Sequence, residues 1–163
     1  MHSFGRSAGS ILPLFLGVQG QIGHGDYGLG LEAQINFAPL ALDVNEFKGL
    51  GALSFPLMIK FNAGSLSGFS KKLKGFGIGG GIQYNRTELF GTTTKYKNLG
   101  RDFFKTYLVE FNAGAGLSGL KAVFYIRYGF NSEQASSFNT GILLNIDFRK
   151  KNEKTNLQNP LRI

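Results

Sequence analysis

The stretch YGLGLEAQINF, Tyr27–Phe37, decides the fold because its two sets of alternating positions differ completely in character. The odd positions are Tyr27, Leu29, Leu31, Ala33, Ile35 and Phe37, and the even positions are Gly28, Gly30, Glu32, Gln34 and Asn36. A period of two places one set on each face of a β-strand. The stretch exceeds the usual soluble strand of about 5–6 residues. It matches the roughly 9–11 residues of a tilted strand that crosses a membrane.

The same period recurs along most of the chain. The apolar positions are Leu12, Leu14, Leu16, Val18 and Ile22; Leu53, Phe55, Leu57, Ile59, Phe61 and Ala63; Phe76, Ile78, Ile82 and Tyr84; Tyr107, Val109, Phe111, Ala113 and Ala115; Ala122, Phe124, Ile126, Tyr128 and Phe130; and Ile142, Leu144, Ile146 and Phe148. Together with Tyr27–Phe37, these six segments predict seven strands of about ten residues each. The apolar phase slips across Ala38-Pro39, which predicts a tight turn or bulge there and a short eighth strand through Leu40, Leu42, Val44 and Phe47.

About eight antiparallel strands with one apolar face predict an all-β fold, a closed antiparallel up-and-down transmembrane β-barrel over residues 11–149. Residues 1–10 are then an N-terminal periplasmic segment, and residues 150–163 a basic periplasmic tail. The polar face is rich in Gly, Asn, Gln and Ser, which suits the cramped lumen of a small barrel. A soluble lipocalin-like barrel, with the apolar face inside and an apolar ligand, is the alternative for the same periodicity.

The charges on the polar face are balanced, which predicts an ion-pair network in the lumen, since a buried charge must be paired. Its members are Glu32, Lys60, Glu110, Arg127, Asp147 and Arg149. Aromatic residues predict two girdles, at Tyr27, Phe37, Phe76, Tyr84, Phe138 and Phe148. Ten residues on a strand tilted by about 40° span about 25 Å, the height of a lipid-facing band.

The turn positions predict which ends of the strands lie together. With the C-terminus in the periplasm, the connections at 132–137, 87–103, Lys48-Gly49 and Gly23–Asp26 fall outside. Those at 117–119, Ala38-Pro39 and 65–74 then fall inside. The connection at 65–74, SLSGFSKKLK, is longer than the short periplasmic turns of such barrels.

The segment GFGIGGGIQYNR, Gly75–Arg86, contains the G-x-G-x-x-G spacing of a dinucleotide-binding turn. That motif requires a helix starting in the glycines, whereas here the strand period continues through Tyr84. We therefore predict that Gly77, Gly79 and Gly81 are packing residues that leave room for large inward side chains such as Tyr125 or Arg127. No cofactor is expected.

The formal net charge of +8 would suit nucleic acid, but the lysines lie apart from the aromatic residues, so no nucleic acid partner is predicted. The basic loops suit lipopolysaccharide phosphates, and Lys150, Lys151 and Lys154 are predicted to contact a periplasmic partner. The chain has no cysteine and only two histidines. A pairing of His24 with Asp26 is the weak basis for the alternative of a lipid-modifying enzyme, and neither a catalytic nor a metal site is predicted.

The strand pattern between Ile11 and Arg149, which ends in LLNIDF (Leu143–Phe148), resembles the small eight-stranded outer-membrane β-barrel family of OmpX and the OmpA membrane domain. It is also similar to the glycine-rich barrels of Bacteroidota. The chain departs from these families by continuing past the terminal aromatic residue. The resemblance implies a Gram-negative outer-membrane protein that contacts outer-membrane lipid. Because the sequence offers no catalytic constellation and eight strands leave no open channel, we predict a non-enzymatic structural or accessory subunit of an envelope complex.

Overall fold

The computed structural model describes residues 2–4, 8–11, 14–38, 40–41, 51–86, 103–117, 119–131 and 136–147. The strands are β1 (His2–Phe4), β2 (Ala8–Ile11), β3 (Leu14–His24), β4 (Tyr27–Ala38), β5 (Leu40–Ala41), β6 (Ala52–Gly64), β7 (Lys74–Arg86), β8 (Phe104–Leu117), β9 (Leu120–Phe130) and β10 (Ser136–Ile146). One 3-10 turn, Ser65–Ser67, lies between β6 and β7.

The strands form one antiparallel sheet in the order β3-β4-β6-β7-β8-β9-β10-β1-β2-β5. Strands β6, β7, β8 and β9 each pair with the next strand along the chain, which is an up-and-down topology. The seven strands predicted from the period of two are therefore confirmed, and they correspond to β3, β4 and β6 to β10. The glycine-rich stretch lies inside β7 with no helix, so it is a strand, as its period predicted.

The prediction that the chain turns back at Ala38-Pro39 is wrong. Ile11 pairs with Leu40 in a register that continues the pairing of Leu14 with Phe37, so β5 extends the direction of β4. The apolar residues change from odd to even positions here, which suggested a reversal of the chain. The direction of the chain is nevertheless the same at Ala38 and at Leu40. The remaining residues of the predicted eighth strand, 42–47, and the Lys48-Gly49 connection lie outside the described residues.

Because the chain does not reverse between Ala38 and Leu40, different connections share an end of the sheet than the sequence predicted. The Gly25–Asp26 turn lies beside the Ser65–Ser67 turn, since the Gly64 amide donates to the Asp26 carbonyl oxygen at 2.8 Å. The prediction that put these two connections at opposite ends is therefore wrong. We call their shared end, which also carries Gly119 and Asp147, the turn end; the opposite end, where β7 ends and β8 begins, is the loop end.

The first residues of the chain belong to the sheet. Strand β1 pairs with β10 through Ser3 and Phe138, and with β2 through Ser3 and Gly9. Residues 1–10 were predicted to form a separate N-terminal periplasmic segment. Strand pairing uses backbone groups, which those residues supply as well as any others.

The burial of the sheet is inverted relative to an ordinary globular domain. Strand β4 alternates between exposed odd positions and buried even positions, so its apolar face is the exposed one. The exposed large apolar side chains include Leu16, Leu31, Ile59 and Val109, all on the convex face. The buried face is mainly polar, with Glu32, Lys60, Gln83, Glu110 and Arg127 all at most 5% exposed. The sheet curls around a polar interior, which reverses the usual preference of residue types.

Candidate functional site

Four of the six charged residues predicted for the interior meet in one closed ring of contacts. Lys60 Nζ lies 2.8 Å from Glu32 Oε1 and 2.5 Å from Glu110 Oε1. Arg127 donates to Glu110 Oε2 from Nε at 2.8 Å and from Nη2 at 2.5 Å. We call this set, completed by Gln34, the interior charge ring. It holds two cations and two carboxylates, so its formal charge is zero.

Gln34 completes the ring, although the predicted network contained only charged residues. Its amide oxygen accepts from Arg127 Nη2 at 3.0 Å, and its Nε2 donates to Glu32. Asn112 Nδ2 also donates to Glu110 Oε1, at 3.0 Å. In the sequence, Gln34 and Asn112 are indicated as inward residues by their even positions, which lie on the polar face. Because β4 and β9 are not neighbours in the sheet, the Gln34–Arg127 bond shows how strongly the sheet curls.

A glycine makes the ring possible. Lys60, Gly79, Glu110 and Arg127 lie in one row across β6, β7, β8 and β9. Lys60 must therefore cross β7 to reach Glu110. A Cβ at Gly79 would lie 2.7 Å from Cγ of Lys60, closer than such atoms approach. Gly79 thus provides the space through which the lysine passes.

The space around Tyr125 comes from a different glycine than the sequence suggested. A Cβ at Gly141 would lie 3.2 Å from the Tyr125 hydroxyl, whereas Gly77 faces Asn62 and Asn112, and Gly81 faces the backbone of β6. The Tyr125 ring packs edge-on against Phe15 of β3, with ring centroids 5.6 Å apart. Arg127 lies 5.2 Å from the same ring. Aromatic packing thus joins β3 to β9 across the interior.

Of the other two residues predicted for the network, Asp147 is described and lies apart from the ring. Asp147 lies at the turn end, where its carboxylate is 3.8 Å from Lys121 Nζ and its amide donates to the Gly119 carbonyl oxygen. Arg149 lies outside the described residues, as do Phe148 of the predicted girdle and the tail lysines Lys150, Lys151 and Lys154.

The long connection at the turn end folds inward. In the 3-10 turn, Ser65, Leu66 and Ser67 are all at most 5% exposed. Gln21 Nε2 donates to the Leu66 carbonyl oxygen at 3.1 Å, and a Cβ at Gly114 would meet Leu66 Cδ2 at 3.1 Å. We call Ser65–Ser67 the plug. Its position accounts for the unusual length of SLSGFSKKLK, because the extra residues cover the interior.

A polar cluster holds the residues that follow the plug to the neighbouring turn. Asp26 accepts from Ser70 Oγ at 2.5 Å and lies 2.6 Å from Lys72 Nζ. The hydrogen bond from Lys72 lowers the pKa of Asp26 below its ordinary value of 3.8, and the Ser70 hydroxyl adds to this. The same bond raises the pKa of Lys72 above 10.5. His24 pairs with Tyr27 across the turn, and the Asp26 carboxylate is engaged by lysine and serine.

Aromatic side chains gather near both ends of the convex face. Tyr27, Phe61, Phe76 and Phe124 lie toward the turn end, where Tyr27 and Phe61 stack with centroids 5.9 Å apart. Phe55, Tyr84, Phe103, Tyr107, Phe130 and Phe138 lie toward the loop end, together with the less exposed Phe37. Five of the six predicted girdle residues thus lie in two rows.

The described residues offer little chemistry for a metal or for catalysis. No group of three or more His, Cys, Asp or Glu side chains within the described ranges is placed to hold a metal ion. In that same part of the chain, no helix has the length and apolar character needed to span a membrane. Two open depressions lie on the convex face, one lined in part by Phe124 and Ile142 and the other by Tyr27 and Phe61.

Comparison with known proteins gives no family for the chain. No protein-family model, curated protein or solved structure matches it.

Proposed function

We propose that this protein is a small outer-membrane β-barrel that acts as a structural or accessory component of the cell envelope, without enzymatic activity. The observation that carries this proposal is the exposed apolar convex face, on which Leu16 and Val18 are each 76% exposed and Ile22 is 74% exposed. At about 25 cal/mol per Å2 of apolar surface, such a face is costly to leave in water and is stabilised by lipid.

The proposal includes a closed barrel, because an open sheet edge is not tolerated in hydrocarbon. Two observations support closure. Strand β1 pairs with β10 on one side and with β2 on the other. Strand β2 also pairs with β5 in the register of β3 with β4, so these four pieces act as two long strands. Counted this way, the observed pairings support a circuit of eight strands, which the proposal extends along β3 and β10.

A component role is favoured over a channel because the interior is occupied by side chains. Arg127, Tyr125, Met58 and Glu110 are each less than 2% exposed, and the plug covers the turn end. An eight-stranded barrel is just wide enough for side chains to fill it. Contacts with lipid and with other envelope proteins, through the convex face and the two ends, are the functions that remain for such a molecule.

The two alternatives have less support. A lipocalin-like barrel would need an apolar interior, whereas the buried face here carries the interior charge ring. A lipid-modifying enzyme would need an oriented His24, yet Asp26 is bound by Lys72 and Ser70.

Fractionation of cells that express the chain with an export signal tests the proposal. We expect the protein to remain in the outer-membrane pellet after alkaline carbonate washing and to require detergent for extraction. Release into detergent-free buffer as a folded monomer would contradict the membrane assignment. A gentle pull-down from native membranes would then show whether an envelope complex contains it.

A further inference from the structure

Two cations and four aromatic rings form a compact surface at the loop end of the convex face. The cations are Arg86 at the end of β7 and Lys105 at the start of β8. The surrounding rings are those of Phe55, Tyr84, Phe103 and Tyr107. We call these six residues the cationic rim. Outward positions nearer the middle of the sheet, such as Leu57 and Val109, are apolar and exposed, so the rim borders the apolar band.

Each cation of the rim lies against an aromatic face. The Arg86 guanidinium carbon is 5.8 Å from the centroid of Phe103, and Lys105 Nζ is 5.0 Å from that of Tyr107. In the β7–β8 register, Tyr84 is opposite Lys105 and Asn85 is opposite Phe104. Arg86 and Lys105 are therefore diagonal neighbours on adjacent strands. Side chains in that relation are close enough to contact one ligand together.

The positive charge of the rim is not neutralised by the carboxylates that the structure describes. Those carboxylates are Asp26, Glu32, Glu110 and Asp147, and each lies near a cation other than Arg86 and Lys105. Arg86 Nε is also a buried donor without a hydrogen-bond partner. By contrast, the exposed Lys72 at the turn end is paired with Asp26. Among the described residues, the two cations of the rim therefore have no carboxylate partner.

We propose that the cationic rim binds the phosphate headgroup of a membrane lipid, whose acyl chains lie along the apolar band below it. This inference rests on the proposed membrane location. Arg and Lys form short, charge-assisted hydrogen bonds with phosphate oxygens. The aromatic rings suit the interface between hydrocarbon and headgroups, because they offer both apolar surface and, in tyrosine, a hydroxyl. A free anion would use only the cations, whereas a lipid uses the cations and the apolar band.

Native mass spectrometry of the detergent-purified protein, titrated with three probes, tests the proposal. The probes are dioleoyl phosphatidic acid, dioleoylglycerol as the same chains without phosphate, and inorganic phosphate as a competitor. We expect phosphatidic acid to bind at least about tenfold more tightly than dioleoylglycerol, the effect of one strong charge-assisted contact. Millimolar inorganic phosphate should displace little of it.

The matched variants are R86Q/K105Q and K71Q/K74Q, which remove the same formal charge at the loop end and at the turn end. The first should lose at least about tenfold in affinity for phosphatidic acid, and the second should stay within about twofold of the unchanged protein. If R86Q/K105Q does not fold, the exposed Lys105 is changed alone, with K71Q as its control.

Three results would overturn the proposal: equal binding of dioleoylglycerol, equal losses in the two double variants, or full displacement by inorganic phosphate. The last would indicate a simple anion site. Each result can occur in a protein that remains in the membrane pellet, so failure of the lipid site is distinguishable from failure of the membrane assignment.

Discussion

At the scale of single residues, the interior charge ring determines which substitutions the protein tolerates. Glu110 is in contact with Lys60, Arg127 and Asn112, and it is fully buried. Removing one partner of a buried ion pair leaves the other charge desolvated and unpaired, which costs about 3–5 kcal/mol. Changing both partners to neutral groups of similar shape costs much less.

Arg127→Met should therefore lower the free energy of unfolding by about 3–5 kcal/mol, measured by urea denaturation in detergent micelles. The double variant R127M/E110Q should recover part of that loss, because the ring then holds one cation and one carboxylate, Lys60 and Glu32, and is neutral again. Lys71→Met, at an exposed position, serves as the control, with a change within about 0.5 kcal/mol. A single variant as stable as the control would show that the ring does not hold the fold.

The Asp26–Lys72 pair gives a prediction about pH. The pKa of Asp26 lies below 3.8 in the folded protein, so the pair stabilises the fold above that value and the contribution is lost as pH falls through the lowered pKa. Because both groups are exposed, the effect on stability is small. In K72M, the carboxyl of Asp26 should titrate closer to 3.8, as followed by its 13C chemical shift. An unchanged titration would show that Lys72 is not the cause.

At the scale of elements, the roles of the glycines depend on residues that are distant in sequence but close in space. Gly75 begins the inward row of β7, and a Cβ there would lie 2.7 Å from the backbone nitrogens of Ser65 and Leu66. It would also clash with the Ala63 carbonyl oxygen. Backbone atoms cannot move aside as a flexible side chain can, so the plug requires glycine at this position.

We expect Gly75→Ala to destabilise the protein by about 1–3 kcal/mol, as overpacking does. Gly20, on the outward side of β3, has no atom within 4 Å of the corresponding Cβ, so Gly20→Ala is the matched control. That control should change the free energy of unfolding by less than about 0.5 kcal/mol. Equal effects of the two substitutions, in the same urea denaturation, would contradict the placement of the plug.

Some strands and contacts could be predicted from the sequence, and others could not. The period of two fixed the seven long strands, because one apolar face repeats locally along each of them. It did not reveal β1, whose pairing is a backbone property, and it misread Ala38-Pro39, where a phase slip imitates a turn. That one error also misplaced the Gly25–Asp26 turn. The charged ring members were identifiable from charge balance, whereas Gln34 required knowledge of how the sheet curls.

At the scale of the whole molecule, the proposed closure of the barrel would depend on the short strand β1. Ser3 lies opposite Phe138 of β10 and opposite Gly9 of β2. Directly opposed residues in antiparallel strands have Cα atoms about 4.5–5.5 Å apart, within the range that a disulfide spans. The chain has no native cysteine, so introduced pairs can be read without background.

The pairs S3C/F138C and S3C/G9C should therefore both form disulfides on mild oxidation in membranes, detected by a shift in gel mobility. Cysteines at Ser3 and Val109, on strands that are not neighbours, form the control and should not cross-link within the monomer. Failure of both test pairs, with the control behaving as stated, would indicate that the sheet is not closed through β1.

The central claim is that the convex face meets lipid and the concave face is a closed interior, and spin-label accessibility in lipid vesicles tests it most directly. A nitroxide replaces Leu31 or Ile59, outward positions that are 56% and 59% exposed, or the interior Ser54. We predict that the outward labels collide readily with oxygen, which dissolves in hydrocarbon, and poorly with a water-soluble nickel chelate. The Ser54 label should be shielded from both. Outward labels that the nickel chelate reaches as freely as it reaches a label in water would contradict the account.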